Sequence, residues 1–220
     1  GNTIGDDKYG IRKLKEGEIA YHTDTVLTAP EYHTVSVPRG GRPYRVALSD
    51  GSRILLNAES SLRYPSYFAG NDRLVELTGE GYFEIAPQLR KAYPDHKGAT
   101  GKTKIPFLVK LDNMTVEVLG THFNVNTYSD EPSVRTTLLE GSVMINNNVV
   151  LQPGQAYSNG KVTEADTEAA VAWKNGVFIF NRDNLASVMR QLSRWYDVDV
   201  EIKTKLQQRQ FQGILKRTVS

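Results

Sequence analysis

Apolar and polar residues alternate with a period of two over much of the chain. Residues 73–85 place Val75, Leu77 and Phe83 on one face and mostly polar side chains on the other. Residues 115–128 show the same alternation. Successive side chains of a β-strand point to opposite faces, so the pattern is typical of strands with one buried and one solvated face. We therefore expect each of these segments to form one such strand.

Acidic–glycine pairs separate several of the shorter apolar segments. Asp50-Gly51 and Glu140-Gly141 each stand between two short segments rich in aliphatic residues. Such a pair is typical of a tight hairpin, because the central residues of the turn adopt positive φ. Strands at this spacing, with no helical pattern between them, predict a mainly β fold for this part of the chain. The architecture expected is an antiparallel β-sandwich or a wound β-roll.

A helical pattern appears near the C-terminus. Its apolar positions are Leu185, Val188, Met189, Leu192 and Trp195 or Tyr196. This spacing forms one stripe of an amphipathic helix, which Asn181 or Asp183 could cap. A short apolar strand is expected at 177–180, and further strands at 198–202 and 210–215. The C-terminal part is therefore expected to be a small α+β domain.

These patterns predict a division of the chain into four segments. Residues 1–34 would be an N-terminal extension or the first strands, and 35–160 the β domain. The polar, then alanine-rich segment 161–172 would be a linker, and 173–220 the small α+β domain. That domain is expected to be incomplete, because so small a unit buries little core. Within the β domain, 88–105 is expected to form a long basic loop.

Composition excludes several classes of function. The 220 residues contain 27 Lys and Arg against 25 Asp and Glu, so the net charge of +2 gives no reason to expect binding to nucleic acid. Cysteine is absent, which excludes disulfides and thiolate chemistry. The longest apolar run, 169–173, is far shorter than the roughly 20 residues that cross a bilayer.

Candidate cofactor and metal chemistry is sparse. The histidines lack the short spacing of a metal site; they are His22, His33, His96 and His122. Gly101-Lys102-Thr103 resembles the end of a phosphate-binding loop, but that motif needs a glycine where this chain has His96. We therefore expect neither a cofactor nor a metal.

The clearest carboxylate row does not indicate an enzyme. Glu76, Glu80 and Glu84 share the polar face of the strand predicted at 73–85. Glycoside hydrolysis needs two carboxylates in different environments across a cleft, whereas one solvated strand face gives similar environments. A carbohydrate-active enzyme is thus the least favoured reading. A deep pocket ringed by converging ionisable groups would favour it.

Aromatic residues leave a second alternative open. Tyr64, Tyr67 and Tyr82 could stack on sugar rings if they were exposed, since tyrosine combines an apolar ring with a polar tip. A glycan-binding β module is therefore an alternative to a protein-binding one, although hairpin packing also accounts for these residues.

Several consecutive segments resemble one known family. Residues 45–68 read RVALSDGSRILLNAESSLRYPSYF and resemble the signature of the FecR family of anti-sigma regulators, in its Bacteroidetes form. Residues 73–85, RLVELTGEGYFEI, resemble the family block Val-Glu-Leu-x-Gly-Glu-Ala-Tyr-Phe, with Gly81 in place of alanine. Further segments follow in family order: 106–128, 136–145, 149–157, the C-terminal-domain segment 173–202, and Phe-Gln-Gly at 211–213.

The resemblance implies a signalling function. Members are single-pass inner-membrane proteins whose cytoplasmic segment holds an extracytoplasmic-function sigma factor. Their periplasmic part, which this chain resembles, receives a signal from a TonB-dependent outer-membrane transducer. The inducer is an iron chelate in some relatives and a glycan in others. The family supplies no catalytic residues to transfer.

A receiver without catalytic residues must work by differential binding. We expect the transducer's signalling domain to add a strand to an open edge of the small C-terminal domain, because backbone hydrogen bonds give affinity there without a deep pocket. The candidate contact residues are Gln210, Phe211, Gln212 and Gly213. The alternative is that 210–215 is a central strand of a complete domain.

Overall fold

The computed structural model describes residues 11–15, 18–21, 29–91, 102–203 and 209–218. In chain order the strands are β1 (Ile11–Lys15), β2 (Glu18–Tyr21), β3 (Tyr32–Val37), β4 (Tyr44–Ala47), β5 (Arg53–Leu56), β6 (Ser60–Pro65), β7 (Arg73–Glu84), β8 (Leu89–Lys91), β9 (Lys102–Lys104), β10 (Phe107–Lys110), β11 (Thr115–Val118), β12 (His122–Thr127), β13 (Arg135–Glu140), β14 (Val143–Ile145), β15 (Val149–Leu151), β16 (Gln155–Ser158), β17 (Lys161–Glu164), β18 (Val177–Asn184) and β19 (Gln210–Lys216). The helices are α1 (Thr167–Ala170), a 3-10 helix (Ala172–Asn175) and α2 (Leu185–Tyr196).

The long strand β7 belongs to two sheets that enclose one core. Its N-terminal half pairs with β6 and β10 in the first sheet, which continues through β11, β14 and β15 and has β3 beyond β6. Its C-terminal half pairs with β5 and β12 in the second sheet, which also holds β1, β2, β4, β13, β16 and β17. Among the described strands of these sheets, β7–β10 and β2–β4 are parallel and the other pairs are antiparallel. The prediction of a mainly β fold followed by a small α+β element is confirmed.

Strand β7 changes sheets at Gly79, whose φ is +85°. A Cβ at this position would lie 2.4 Å from the Oγ of Ser60 and 2.6 Å from the carbonyl oxygen of Glu59. Only glycine combines this φ with so close an approach. The approach lets the Ser60 hydroxyl accept a hydrogen bond from the Glu80 amide at 2.8 Å. The bend therefore fixes where the side chain of Glu80 points.

The chain also crosses between the sheets at Gly120 and Gly141. Strands β11 and β14 pair in the first sheet, whereas β12 and β13 pair in the second. The single strand predicted over 115–128 is therefore wrong at its centre, where Leu119 is exposed. The predicted hairpin at Glu140-Gly141 is also wrong, because this pair carries the chain from one sheet to the other. A Cβ on Gly141, whose φ is +90°, would lie 2.9 Å from the Gly120 carbonyl oxygen, so the two crossings pack on each other.

The core lies between the two sheets and follows the predicted alternation. Its fully buried members include Ile54, Leu56, Leu62, Phe83, Phe107, Phe123, Leu138 and Ile145. The rings of Phe83 and Phe123 stack with centroids 4.8 Å apart. Arg73 is also buried, and its guanidinium binds Asp50 at 2.6 Å and two backbone carbonyls. The Asp50 carboxylate, beside the confirmed β4–β5 hairpin turn, is thus tied to the first residue of β7.

The described residues from 177 onward form a C-terminal unit of two strands and a helix. Strands β18 and β19 pair antiparallel, and α2 packs Val188 onto Phe178 and Phe180. The helix cap is Asn184, whose side-chain oxygen accepts from the Ser187 amide at 2.9 Å, not the predicted Asn181 or Asp183.

The strand predicted at 198–202 is absent from the described chain. Among the described residues it has no neighbouring strand to pair with, and the Val198 carbonyl accepts a hydrogen bond from Arg39 instead. Alternation without a partner strand is not enough to form a sheet.

Two other segments contain short regular elements. The segment expected to be a linker, 161–172, holds β17 and α1. In the segment expected to be a basic loop, β8 and β9 pair as a hairpin stem, while 92–101, including His96, lies outside the described residues. Lys102 and Thr103 lie on the strand β9. None of the helices in the described ranges combines the length and the apolar character that crossing a membrane requires.

Substituting Gly79 by alanine should destabilise the β domain by about 2–4 kcal/mol, because left-handed strain and overpacking add. Gly51 is the matched control, since its φ is also +85° but nothing lies within 4 Å of its Cβ position. Gly51→Ala should cost only the backbone strain, about 1–2 kcal/mol. Urea unfolding measures both values, and equal costs would show that the close approach at Gly79 is not a constraint.

Candidate functional site

Glu80 lies beneath the C-terminal part of the chain. It sits on the outer face of the second sheet, where the 3-10 helix places Trp173 close by, and Glu80 is only 8% exposed. Tyr82, two residues further along β7, packs against Val171 and Trp173. The prediction that Glu80 and Tyr82 share a solvated strand face is therefore wrong, because the chain after β17 covers this part of the sheet.

Two asparagines bind the Glu80 carboxylate. The side-chain amide of Asn57 donates to one carboxylate oxygen at 2.8 Å, and that of Asn124 donates to the other at 3.0 Å. The indole N–H of Trp173 donates to the Asn124 side-chain oxygen at 3.2 Å. Both oxygens of a buried carboxylate are thus satisfied by donors, which is what burial of a charged acceptor demands.

Arg217, one residue after β19, joins the same network from the C-terminal unit. Its guanidinium donates to the Asn57 side-chain oxygen at 3.1 Å. It also lies over the rings of Phe178 and Trp195, 4.3 and 4.8 Å from their centroids. Cation–π contacts of this kind are stronger when the cation is desolvated. Arg217 therefore ties the core of the C-terminal unit to the β domain.

The hydrogen bonds form a closed ring through Gly176. The Arg217 amide donates to the Gly176 carbonyl at 2.8 Å, and the Gly176 amide donates to the Trp173 carbonyl at 3.2 Å. Gly176 has a φ of +71° and separates the 3-10 helix from β18. We call the ring Gly176–Arg217–Asn57–Glu80–Asn124–Trp173 the Glu80 network.

Burial perturbs the ionisable groups of this network in opposite directions. It raises the pKa of Glu80, and the hydrogen bonds from Asn124 and Asn57 and the charge of Arg217 oppose this rise without cancelling it. Burial also lowers the pKa of Arg217 to about 10, although the carboxylate of Glu80 opposes that shift. Arg217 nevertheless remains charged at neutral pH.

A second set of contacts joins α2 to the β domain through ion pairs. The Arg194 guanidinium donates to both Asp130 oxygens at 2.7 Å and to Glu131 at 2.6 Å, while lying over the Tyr128 ring. Arg190 donates to the other Glu131 oxygen at 2.7 Å. Burial alone would raise the pKa of Glu131, but the two arginines hold it below its ordinary value. The polar face of α2, which carries Arg190 and Arg194, is thus an interface.

Arg39 binds the C-terminal end of α2 from a loop of the β domain. Its guanidinium donates to the Val198 carbonyl at 2.9 Å and to the Asp199 carboxylate at 3.2 Å. The amide of the next residue, Gly40, donates to the Arg194 carbonyl at 2.8 Å. A cation and a backbone donor at this end of a helix match its free carbonyls and its dipole.

A polar cavity of about 420 Å³ remains between the β domain and the C-terminal unit. Glu80, Glu131, Asp183, Arg194 and Arg217 are among the residues around it. Ionisable groups thus converge here, as they do in enzyme clefts. In this cavity, however, Glu80 is bound by amides and Glu131 and Arg194 are bound to each other. In the described ranges, no group of three or more potential ligands is placed to hold a metal ion. The contacts join two parts of one chain rather than presenting an acid–base pair.

The residues proposed as partner contacts all lie on β19. Gln210, Phe211, Gln212 and Gly213 face Asn184, Asp183, Asn181 and Phe180 across the pair with β18. Their exposure is high, and within the described chain β19 pairs with β18 alone. The other edge of β19 therefore has no partner strand among the described residues.

Alternating backbone groups of β19 point to this open edge. The Arg217 amide donates to Gly176, directly opposite, so this is a hydrogen-bonded pair. Hydrogen-bonded and non-hydrogen-bonded pairs alternate in an antiparallel ladder. The backbone groups of Gln212, Ile214 and Lys216 must therefore face outward, and those of Gly213 and Leu215 face β18.

The tyrosines considered for sugar stacking are not placed for it. Tyr64 is fully buried in the core, and Tyr82 is buried against the Trp173 cluster. Tyr67 is half-buried. The buried rings of Tyr64 and Tyr82 present no face to a ligand, so the structure does not favour the glycan-binding alternative.

Sequence reasoning missed the Glu80 network. In the sequence Glu80 stands out only as one of three acidic residues with a common spacing, and Asn57 and Asn124 belong to no recognised motif. The sequence does contain a signal for these three residues. All three lie inside segments that resemble family blocks, and neither core packing nor a turn requires an amide or a carboxylate at these positions. The pairing of Arg217 with Asn57 links positions 160 residues apart, which no local pattern reveals.

Replacing Glu131 by glutamine should remove about 1.5–3 kcal/mol of unfolding free energy at neutral pH, the range for hydrogen bonds to charged groups. The pKa of Glu131 in the folded chain is lowered from its ordinary value of 4.5. The contribution of Glu131 to stability is therefore complete at a pH above 4.5 and is lost as the pH falls through the folded-state pKa. Urea unfolding across pH should show wild type and variant converging in acid. The matched control Glu140→Gln, on a side chain 76% exposed, should change stability by less than about 1 kcal/mol. A difference for Glu131→Gln that persists undiminished in acid would contradict the assignment.

Glu80 should show the opposite pH dependence. Because its folded-state pKa is raised above 4.5, the folded chain holds this proton more tightly than the unfolded chain does. The stability of wild type relative to Glu80→Gln should therefore decrease as the pH rises above 4.5. The altered hydrogen bonds of the glutamine do not titrate, so they shift this difference equally at every pH. A relative stability that rises with pH would show that the hydrogen bonds and the charge of Arg217 outweigh burial and hold the pKa of Glu80 below 4.5.

The comparisons with known proteins agree with this architecture. Two solved structures of candidate anti-sigma factors from Parabacteroides distasonis ATCC 8503 are similar in fold. One superposes with a TM-score of 0.70 at 27% identity over 85% of this chain and 86% of its own. The other has a TM-score of 0.68 at 26% identity over 86% of both chains. No curated protein is similar enough in sequence to count as a match.

Two family descriptions match consecutive parts of the sequence. Residues 177–220 match the family described as FecR, C-terminal, which corresponds to the C-terminal unit. Residues 33–144 match the family described as FecR protein, which includes strands of both sheets of the β domain and just over half of the chain. The chain belongs to the FecR family of anti-sigma regulators.

Proposed function

We propose that this chain is the periplasmic receiver of a transmembrane anti-sigma regulator. In this proposal the signalling domain of a TonB-dependent outer-membrane transducer binds the chain. The full-length protein crosses the inner membrane once, and a cytoplasmic segment that is not part of this sequence holds an extracytoplasmic-function sigma factor. Membership of the FecR family and similarity to candidate anti-sigma factors support a regulatory role.

The observation that carries the proposal is the open edge of β19. The outer edge of a two-stranded ladder is a ready template for another strand. Ile214 and Leu215 on this strand are 68% and 53% exposed, and both are apolar. Outward backbone groups at Gln212, Ile214 and Lys216 would supply hydrogen bonds, while alternating side chains would supply specificity. In this proposal the transducer's strand pairs along Gln210, Phe211, Gln212 and Gly213 and continues toward Lys216.

Signalling in this proposal requires binding and no chemistry. Occupancy of the transducer changes how its signalling domain presents a strand, and the receiver responds because it binds one state more tightly. In this proposal the polar cavity takes no part in a reaction, because the side-chain amides of Asn57 and Asn124 bind Glu80, and Glu131 forms an ion pair with Arg194. The proposal therefore includes no enzymatic activity and no cofactor.

Gln212→Pro should weaken binding of the cognate transducer's signalling domain at least tenfold, about 1.4 kcal/mol. Proline removes one outward N–H and leaves the inward hydrogen bonds to β18 in place, because position 212 faces the open edge. The matched control Gln212→Ala keeps the N–H and should bind nearly as wild type does. Isothermal titration calorimetry measures the dissociation constants. Wild-type affinity for the proline variant would move the contact away from β19.

A further inference from the structure

The end of β19 is where the open edge and the Glu80 network meet. The carbonyl of Lys216 faces outward and accepts a hydrogen bond from the Thr218 amide at 3.0 Å, in a tight turn. Arg217 lies between these two residues. Its amide is fixed to Gly176 and its guanidinium to Asn57, so one residue closes the edge strand and anchors the C-terminal unit.

A strand added along the full length of β19 would compete with this turn. To pair at its last residue it must reach the outward carbonyl of Lys216, where the Thr218 amide now donates. Moving Thr218 aside changes the backbone of Arg217, the residue before it. The guanidinium of Arg217 must hold a narrow position between Phe178, Trp195 and the Asn57 oxygen, so it tolerates little displacement.

The interface that Arg217 secures is suited to opening. It includes the hydrogen bonds and ion pairs of Arg194 with Asp130 and Glu131, and it surrounds a cavity of about 420 Å³. Polar interfaces between parts of one chain commonly permit relative motion, and Gly176 supplies a junction.

We infer that the Glu80 network is a latch, and that a strand bound along β19 releases it by displacing Arg217 from Asn57. This inference rests on the proposed function, because the strand that releases the latch is the transducer's strand bound along β19. Binding of that partner and seating of the C-terminal unit on the β domain then oppose each other. Coupling of this kind is reciprocal, so loosening the latch must strengthen partner binding by the same factor. The signal then passes to the rest of the receiver as release of the C-terminal unit from the β domain.

Double electron–electron resonance, which measures the distance between two spin labels, tests the latch directly. The chain has no cysteine, so Asn113→Cys and Asn181→Cys give single label sites on exposed residues of the β domain and the C-terminal unit. Arg217→Met removes the guanidinium and retains an apolar stem against Phe178 and Trp195. Arg42→Met is the matched control, because Arg42 is exposed and outside the network. Circular dichroism confirms that each variant is folded.

The expected result has three parts. Wild type and Arg42→Met give a narrow distance distribution that broadens when the cognate signalling domain is added in excess. Arg217→Met gives a broad distribution without the domain. Its dissociation constant for the domain is at least about fivefold lower than that of wild type, the lower end of common coupling strengths.

Three results would overturn the inference, and they differ in what else they overturn. A narrow distribution for Arg217→Met without the domain shows that Arg217 is not a latch. A broad distribution with unchanged affinity shows that seating and binding are uncoupled, and it leaves the proposed function intact. Failure of the domain to bind wild type or either variant overturns the proposed function, and the inference with it.

Discussion

A buried carboxylate is the constraint on which the arrangement of this molecule depends. Glu80 lies on the outer face of a sheet, and it needs donors for both oxygens once it is covered. Asn57 and Asn124, from the strands or connections on either side of β7, supply those donors. Their own oxygens are then available to Arg217 and Trp173, which arrive from the covering chain. The position of the C-terminal unit is therefore specified by hydrogen bonds more than by apolar packing.

An interface held mainly by hydrogen bonds and ion pairs depends on geometry more strongly than a packed apolar core does. Apolar burial depends mainly on area, whereas buried hydrogen bonds and ion pairs hold one geometry and lose most of their value outside it. Arg190 and Arg194 on α2 and Arg39 on the β domain surround the Glu80 network with further polar contacts. An interface of this kind favours two discrete states, seated or released, over a continuum. That property suits a receiver whose output must depend on whether a partner is bound.

The sequence was informative wherever structure is decided locally. Period-two alternation identified the core face of β7, and the 3.6-residue stripe identified α2. It failed where the chain passes from one sheet to the other, because alternation continues unbroken through 115–128 although β11 and β12 are separate strands in different sheets. It also failed where distant segments cover one another. Glu80, Tyr82 and Arg194 all look solvent-facing in their own elements, and each is buried by a segment that lies 50 or more residues away in sequence.

The indole N–H of Trp173 reports most directly on whether Glu80 organises the hydrogen bonds that hold the covering chain on the β domain. The chain has two tryptophans, so NMR can follow the exchange of each indole hydrogen separately, with Trp195→Phe giving the assignment. The account predicts that the Trp173 indole exchanges slowly in wild type. It predicts fast exchange in Glu80→Ala, while backbone amides of β12 remain protected in both proteins. The same exchange rate for the Trp173 indole hydrogen in wild type and in Glu80→Ala, with the β12 amides protected in both, would contradict the account.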